Sequence, residues 1–433
     1  MATTAERRRL ARLVHRFGFG PRPGEFSDLL GETFDFAATS YLYSPNSDSF
    51  ANSQSSPTVR DLGSRPAPNS AELVSYVTEK RAQVTSLTMW WLDRMVLSSH
   101  SLRERMTWFW HGHWATSIQK VDDALPMYRQ NQTLRNLSLE NFAEMSRSMV
   151  TDGALIYWLD GQTNTIKAPN ENLSRELMEL FTLGVNRYTE SDVRETAKAL
   201  TGYRVKISSG DVTFLPNKHY SGPISFLGTT GSFDAKSLSD FLVARDDCAT
   251  FITERLWYRF ISSVNPLSDT RLKDAFGNRD IATLVRALGT HSALDDPANS
   301  MVKSPMDWFV SVCRALSITP STFPNTALIR NYLNLMGQIP FMPPNVGGWP
   351  ADQAWLSTSA AQYRIDFASA LIKFGNITPI SSIPQKDRIS ELADWLGVAE
   401  WSSRTTLALR GALQDPARLT LLAICSPEYV VSA

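Results

Sequence analysis

The chain has 433 residues, of which 43% are hydrophobic and 20% charged, a composition that excludes a disordered or fibrous protein. Its 43 Lys and Arg residues balance 43 Asp and Glu residues, so we expect no nucleic-acid partner and no acidic membrane surface recognised through bulk charge. The three cysteines, Cys248, Cys313 and Cys425, lie far apart and do not suggest a disulfide framework. The composition therefore predicts a soluble, reduced, globular protein.

The beginning of the sequence does not have the pattern of an export signal. Arg7, Arg8 and Arg9 resemble a basic leader, but no apolar stretch of about 7–15 residues and no small-residue cleavage site follow them. No window approaches the roughly 18 apolar residues of a membrane span. The sequence therefore predicts a cytoplasmic protein without a membrane partner.

The predicted elements are mainly helices, and one segment of low complexity interrupts them. Residues 44–70 are rich in Ser, Asn and Pro, which is typical of a surface loop or insertion. Apolar periodicity predicts helices at residues 26–42, 71–95, 102–110, 139–150, 171–183, 190–201, 238–243, 249–261, 281–288, 305–316, 326–336, 357–374, 388–396, 405–413 and 417–425. No internal repeat is visible, so we expect a single large helical domain over residues 1–433.

Local signals predict several boundaries within this mainly α fold. Ser70 can cap the helix that follows it, Ser101 with Glu104 has the pattern of a capping box, and Ser304 with Pro305 fits the start of another helix. Residues 203–207 and 212–215 flank a Ser-Ser-Gly-Asp turn and predict one small β-hairpin. Residues 340–355 are rich in Pro and Gly, which predicts an ordered irregular loop anchored by two tryptophans, Trp349 and Trp355.

Two histidines within a tryptophan-rich stretch are the first candidates for chemistry. His111 and His113 are separated by Gly112, and an unbroken helix would point them about 200° apart. We predict that Gly112 ends or kinks the helix, which would let both imidazoles enter one pocket. The alternative is that the neighbouring tryptophans pack the core and each histidine caps a carbonyl group.

An acidic helix supplies the second candidate set. At 100° per residue Glu171, Arg175, Glu176 and Glu179 share one face, opposite a stripe of apolar residues. The functional interpretation places this face over a cleft, where Arg175 is buried and bonded to Glu171, Glu179 or both. The alternative is an ordinary solvated face with a ladder of ion pairs between residues four positions apart.

Two further residues are weaker candidates. His219 follows the predicted hairpin in a loop, where functional residues are frequent, although a lone loop histidine is more often a surface residue. Lys303 precedes a predicted helix start, where its charge would oppose the helix dipole unless it pairs with an acidic group or a ligand.

A series of short motifs extends along nearly the whole chain. The most specific of them is NENLSRELMELFTLG at residues 170–184. The others are RFGFGP at 16–21, FWHGHWAT at 109–116, YTE at 188–190, ALTGY at 199–203, FLG at 226–228, KSP at 303–305, MGQ at 336–338, PPNVGGWP at 343–350 and SPEY at 426–429. In these motifs and in their order, the chain resembles the bacterial family known as domain of unknown function 1800.

The resemblance implies a mainly helical fold but no particular reaction. Many members look secreted and accompany a phosphatase- or sulfatase-like family. The family commonly has Asn where Gly112 stands, and both residues tolerate left-handed backbone, so the resemblance favours a broken helix. The family's histidine after the hairpin appears as His219. Its following Asp is Tyr220 here, and the Lys four positions later is Ile224.

Together these features lead to two hypotheses about function. In the first, the chain is an enzyme whose histidines and acidic helix meet across one pocket, with His111 or His113 close to Glu176 or Glu179. The predicted catalytic residues are His111, His113, Glu171, Arg175, Glu176 and Glu179, and the predicted ligands of a divalent metal are His111, His113, Glu176, Glu179 and His219. Metal-assisted hydrolysis and metal-dependent oxidation both fit such a set, acting on a small molecule.

In the second hypothesis the chain is a non-catalytic binding or assembly protein. Its tryptophan-rich stretches and the loop at residues 343–355 would then recognise a protein or a glycan. A shared concave pocket for the histidines and carboxylates would favour the enzyme, and scattered groups would favour the binding protein.

Overall fold

The computed structural model describes residues 3–45 and 48–432, and its architecture is mainly α, as the sequence predicts. Residues 46 and 47 of the predicted 44–70 loop lie outside the described part. The α-helices are α1 Thr4–Arg16, α2 Glu25–Leu30, α3 Phe34–Leu42, α4 Ser49–Asn52, α5 Ala71–Leu97, α6 Leu102–His113, α7 Ile118–Val121, α8 Ala124–Leu137, α9 Phe142–Met149, α10 Gly153–Trp158, α11 Asn172–Glu176, α12 Glu190–Ala199, α13 Ala235–Ala244, α14 Asp246–Phe260, α15 Arg271–Ala275, α16 Ile281–Gly289, α17 Pro305–Ala315, α18 Thr326–Leu335, α19 Thr358–Ile372, α20 Thr378–Ser381, α21 Arg388–Leu396, α22 Ser403–Arg410, α23 Pro416–Ile424 and α24 Pro427–Val430.

Short helices of other types join these elements. A π-helix, Leu177–Thr182, continues directly from α11. The 3₁₀ turns are Gly161–Thr163, Pro216–Lys218, Ser292–Leu294, Pro297–Asn299, Pro320–Thr322, Asp352–Trp355 and Gln385–Asp387.

The strands form three small antiparallel pairs. The predicted hairpin is present as β1 (Tyr203–Lys206) and β2 (Asp211–Phe214), with Tyr203 opposite Phe214. The sequence pattern missed two further pairs, β3 (Ile224–Phe226) with β4 (Thr229–Gly231) and β5 (Met301–Val302) with β6 (Val431–Ser432). β5 and β6 are far apart in the chain, so no local turn signal predicts their pairing.

Helix caps confirm some of the predicted boundaries and correct another. The Ser70 side chain accepts a hydrogen bond from Leu73 N–H, and Ser304 forms a capping box with Asp307. The capping box predicted at Ser101 is wrong, because Ser101 makes no side-chain cap bond. Glu104 is instead buried between helices, where two arginines hold it.

The predicted helix at residues 26–42 is two helices. α2 ends at Leu30 with Gly31 as its C-cap, and α3 begins after Thr33, whose side chain accepts a hydrogen bond from Phe36 N–H. A new N-cap at Thr33 therefore interrupts a continuous apolar pattern. The described part of the predicted 44–70 loop, residues 44–45 and 48–70, is irregular except for α4.

Buried apolar side chains form two clusters that meet at α6. Met106, Phe109 and Trp110 belong to the first cluster, which is built mainly on the part of the chain before residue 295. Trp108 belongs to the second cluster, with α5, α17 and most of the later helices. α6 is therefore buried on several sides, as a helix rich in aromatic residues requires. The extent of a single domain over 1–433 stays a prediction.

The long helix α5 has 27 residues, but charged side chains such as Glu72, Glu79 and Lys80 occupy its first half. Across residues 3–45 and 48–432, no helix combines the length and the apolar character needed to cross a membrane.

Candidate functional site

Helix α6 runs through Gly112 without a break, so the predicted kink is wrong. The helix extends to His113, and Trp114 N–H donates to Trp110 O at 2.8 Å. Gly112 is not among the glycines with positive φ, whereas Gly348 has φ +80°. A Cβ added to Gly348 would lie 2.2 Å from Gly112 O, while one added to Gly112 would make only ordinary contact with Trp349. The glycine that the backbone requires at this contact is therefore Gly348.

Because the helix is unbroken, the two histidines diverge. His111 Nε2 accepts a hydrogen bond from Phe341 N–H at 3.1 Å, and its ring lies among Trp91, Trp108 and Trp349. His113 Nε2 lies 3.0 Å from Phe181 O, to which it donates. Burial lowers the pKa of each imidazole to about 3, so both are neutral near pH 7. The expectation that both enter one pocket is wrong.

The acidic stretch is α11 followed by the π-helix, so the 100° count fails after Glu176. Arg175 contacts Glu171 at 3.4 Å, as predicted, but its closer partner is Glu190, which it meets through two hydrogen bonds of 2.7 and 2.8 Å. The Arg175 side chain is 33% exposed, so its predicted burial is wrong. Tyr188 O–H donates to Glu179 instead.

Glu176 lies near Glu179 and is half-buried. Its pKa is raised by burial first and by the charge of Glu179 second. No hydrogen bond joins either carboxylate to His111 or His113. The histidine stretch contacts this segment at Phe181, through its backbone carbonyl and its ring. The predicted His–Glu contacts are therefore absent from the described residues.

His219 is also separate from this stretch. Its Nδ1 lies 3.0 Å from Thr201 O, and its ring packs against Phe214. Within residues 3–45 and 48–432, no three His, Cys, Asp or Glu side chains are grouped to hold a metal ion. The five predicted metal ligands therefore do not form one donor set, and a divalent metal does not fit them.

A different pocket lies beside His113, between α6, α14 and the loop at residues 340–355, which we call the tryptophan loop. We refer to this pocket as the arginine pocket. It is lined by Arg105, Trp108, Phe109, Gly112, His113, Arg255, Arg259, Phe260, Met301, Val302, Ser304, Asp307, Gln338, Trp349, Ala351, Asp352 and Trp355, and its cavity volume is about 70 Å³. Of the predicted catalytic and metal-binding residues, His113 alone lines it. Trp108, Trp349 and Trp355, which the binding hypothesis predicted as part of a recognition surface, also line it.

The charged residues of the arginine pocket are only partly paired with one another. Arg105 forms an ion pair with Asp307. Asp352 accepts hydrogen bonds from Val302 N–H at 2.8 Å and Ser263 O–H at 2.7 Å. Both carboxylates of the lining are therefore already engaged.

Arg255 and Arg259 form no ion pair with any residue that the structure describes. Arg259 donates to Trp349 O at 2.6 Å and Pro350 O at 3.2 Å, and burial lowers its pKa to about 10. Arg255 Nε is buried and has no hydrogen-bond partner among the described residues, and burial lowers the pKa of this guanidinium as well. Both side chains are half-buried. Two partly desolvated cations one helical turn apart are costly unless an anion offsets their charge.

The other walls of the pocket are aromatic. Trp349 stacks on Trp108 with ring centroids 4.8 Å apart, which confirms that the loop is ordered and anchored by its tryptophans. The indole Nε1 atoms of Trp349 and Trp355 are buried and have no hydrogen-bond partner in the part of the chain that the structure describes. The pocket thus combines apolar walls with unsatisfied donors, as ligand sites commonly do.

Sequence reasoning missed the two arginines, although a signal was present. Neither Arg255 nor Arg259 has an acidic residue three or four positions away on α14, so no partner within the helix is available. An unpaired Arg pair on a largely apolar helix face indicates a partner from elsewhere. The missing information was which other segments pack against that face.

The comparisons with known proteins identify the family. Neither the curated proteins nor the solved structures that were searched contain a match to this chain. The family model described as "Protein of unknown function (DUF1800)" matches residues 12–431, which is nearly the whole chain and agrees with the motifs found in the sequence. The chain therefore belongs to the DUF1800 family.

Proposed function

We propose that the chain binds a small organic acid in the arginine pocket, with the acid's oxyanion held by Arg255 and Arg259. The observation that carries the proposal is the pair of half-buried guanidinium groups in the pocket lining without a carboxylate partner among the described residues. Arginine side chains match carboxylate, sulfate and phosphate groups through paired N–H donors. The ligand's charge would offset the cost of burying both cations.

The walls of the pocket define the rest of the ligand. Trp108, Phe260 and Trp349 supply apolar surface, and Trp355 supplies a free indole N–H. A cavity of about 70 Å³ holds an acid of only a few heavy atoms, with any larger part outside. This proposal keeps the binding hypothesis but replaces a neutral glycan with an anion, because an uncharged sugar leaves both guanidinium groups unpaired.

Of the catalytic residues that the enzyme hypothesis names, His113 lines the same pocket. Glu171, Glu176 and Glu179 have other partners or lie outside the lining, so we assign them no role in binding. Metal-assisted hydrolysis or oxidation and a cytoplasmic location stay predictions from the sequence.

Calorimetric titration with acetate and propionate tests the proposal. Wild-type protein is expected to bind at least one of these acids, and Arg255→Gln is expected to weaken binding at least about 10-fold, because a charge-assisted hydrogen bond is lost. Arg271→Gln is the matched control, since Arg271 is an exposed arginine paired with Asp269 outside the pocket. This variant should bind like wild type.

Two outcomes would contradict the proposal. One is that folded wild-type protein binds neither acid at millimolar concentration. The other is that Arg255→Gln and Arg259→Gln, with unchanged circular dichroism spectra, bind as tightly as wild type.

A further inference from the structure

His113 lines the arginine pocket and has one buried polar atom without a partner in the described part of the chain. Its Nε2 is committed to Phe181 O at 3.0 Å, and because a carbonyl only accepts, Nε2 carries the proton. The ring is neutral, so Nδ1 is a hydrogen-bond acceptor. Nδ1 is buried and has no hydrogen-bond partner among the described residues, and the His113 side chain is 2% exposed.

The ring of His113 is surrounded mainly by aromatic side chains. The rings packed around it belong to Phe109, Trp110, Trp114, Phe142, Phe181 and Phe251. Arg255 adds a positive charge near enough to lower the pKa of the imidazole further, although burial is the larger cause. An acceptor fixed beside an unpaired cation matches a ligand that carries both a proton donor and an anion.

The charged residues of the pocket determine which hydrogen-bond donor of a ligand is favoured at His113 Nδ1. Three arginines and two aspartates line it, and both aspartates are engaged by protein groups. A ligand ammonium would therefore meet Arg255 without a free carboxylate to balance it. A hydroxyl group satisfies Nδ1 without adding positive charge.

We propose that His113 is a specificity-determining residue and that the ligand class is a short hydroxy acid, whose hydroxyl donates to His113 Nδ1. The inference rests on the proposed function, because Arg255 and Arg259 hold the acid's carboxylate. The volume of the cavity suits hydroxy acids of two or three carbons. No bond is made or broken in this step; the hydroxyl proton is shared in a hydrogen bond.

Matched pairs of probes test this inference separately from anion binding. Glycolate differs from acetate, and lactate from propionate, by one hydroxyl group. Wild-type protein is expected to bind each hydroxy acid about 2- to 12-fold more tightly than its partner, the range that one neutral hydrogen bond supplies. Glycine, with an ammonium group in place of the hydroxyl, is expected to bind more weakly than acetate.

His113→Phe should abolish the preference for glycolate while retaining acetate binding. His111→Gln is the matched control, because His111 is equally buried on the same helix but does not line the pocket. That variant should keep the preference. If wild-type protein binds acetate but does not prefer glycolate, the role of His113 is overturned and the proposed function stands. If wild-type protein binds none of these acids, the proposed function itself is overturned.

A second measurement needs no folded His113 variant. In protein labelled with ¹⁵N-histidine, the imidazole assigned to His113 should show a proton on Nε2 at neutral pH, and its Nδ1 signal should shift with glycolate but not with acetate. A proton on Nδ1, equal shifts with both acids, or glycine binding as tightly as glycolate would overturn the inference.

Discussion

The close contact between Gly348 and α6 shows how one backbone position determines the geometry of the site. Gly348 has φ +80°, and a side chain there would collide with Gly112 O. The contact lets Trp349 stack on Trp108 and complete the aromatic wall. The conformation of the family motif at residues 343–350 therefore depends on this packing contact as well as on its prolines.

Replacing each of these two glycines by alanine should have opposite effects. We expect Gly348→Ala to lower the free energy of unfolding by more than about 2 kcal/mol, because it forces a strained backbone and a collision. We expect Gly112→Ala to be neutral or to stabilise by up to about 1 kcal/mol, because alanine favours helix and the space is open. Urea denaturation of both variants measures the difference, and equal losses would show that the contact is flexible.

Asp152 is a residue whose protonation should change stability with pH. Its side chain accepts from Leu155 N–H and from Gln130, and burial raises its pKa from 3.8 to about 6. The folded state therefore binds the proton more tightly than the unfolded state. This contribution is present at low pH and is lost as pH rises from about 4 through about 6.

Asp152→Asn keeps the acceptor oxygen but removes the titration. The variant should gain stability relative to wild type as pH rises from 4 to 7, with a constant difference above that range. Thermal unfolding across this pH range checks the sign, and a variant that loses stability relative to wild type as pH rises from 4 to 7 would contradict it.

At the scale of elements, ion pairs on different helices should contribute different amounts to the free energy of unfolding. Glu104 on α6 is 2% exposed and accepts hydrogen bonds from Arg94 and Trp91 on α5 and Arg135 on α8. Burial raises the pKa of this carboxyl, but the two arginines outweigh burial and hold it at about 2. This buried carboxylate ties three helices together.

Glu104→Gln is expected to cost about 3–5 kcal/mol, because it leaves two buried arginines without a countercharge. Arg175→Ala is expected to cost less than about 1 kcal/mol, because its pairs with Glu171 and Glu190 are solvated. Chemical denaturation of both variants tests the contrast. A loss of several kcal/mol in Arg175→Ala would show that the acidic stretch has a role beyond a surface ladder.

Elements whose signals are local could be predicted from the sequence. Ser70 and Ser304 begin helices because a side-chain cap acts within three residues, and the β1–β2 hairpin follows from its turn. The π-helix was not predictable from a 3.6-residue period, and its wider turn shifts Glu179 towards Tyr188. The β5–β6 pair depends on packing between distant segments.

For the molecule as a whole, the fold class could be predicted but most of the site could not. Apolar periodicity reports which residues are buried, and it correctly indicates a mainly helical chain. It does not report which helices adjoin. His113 was found because it belongs to an unusual aromatic stretch, whereas Arg255 and Arg259 gain meaning only when α14 packs against α6 and the tryptophan loop.

The walls of the arginine pocket come from separate segments of the chain. Ligand binding is therefore linked to the cooperative unfolding of the whole molecule. Arg105, Arg255, Val302 and Trp355 approach one another only when α6, α14, β5 and the tryptophan loop are all in place. No single segment retains the binding surface, so a bound acid stabilises the native state against global unfolding by RT ln(1 + [L]/Kd). The melting temperature should therefore rise with the logarithm of ligand concentration well above Kd, and the chain would gain resistance to proteolysis when its ligand is abundant.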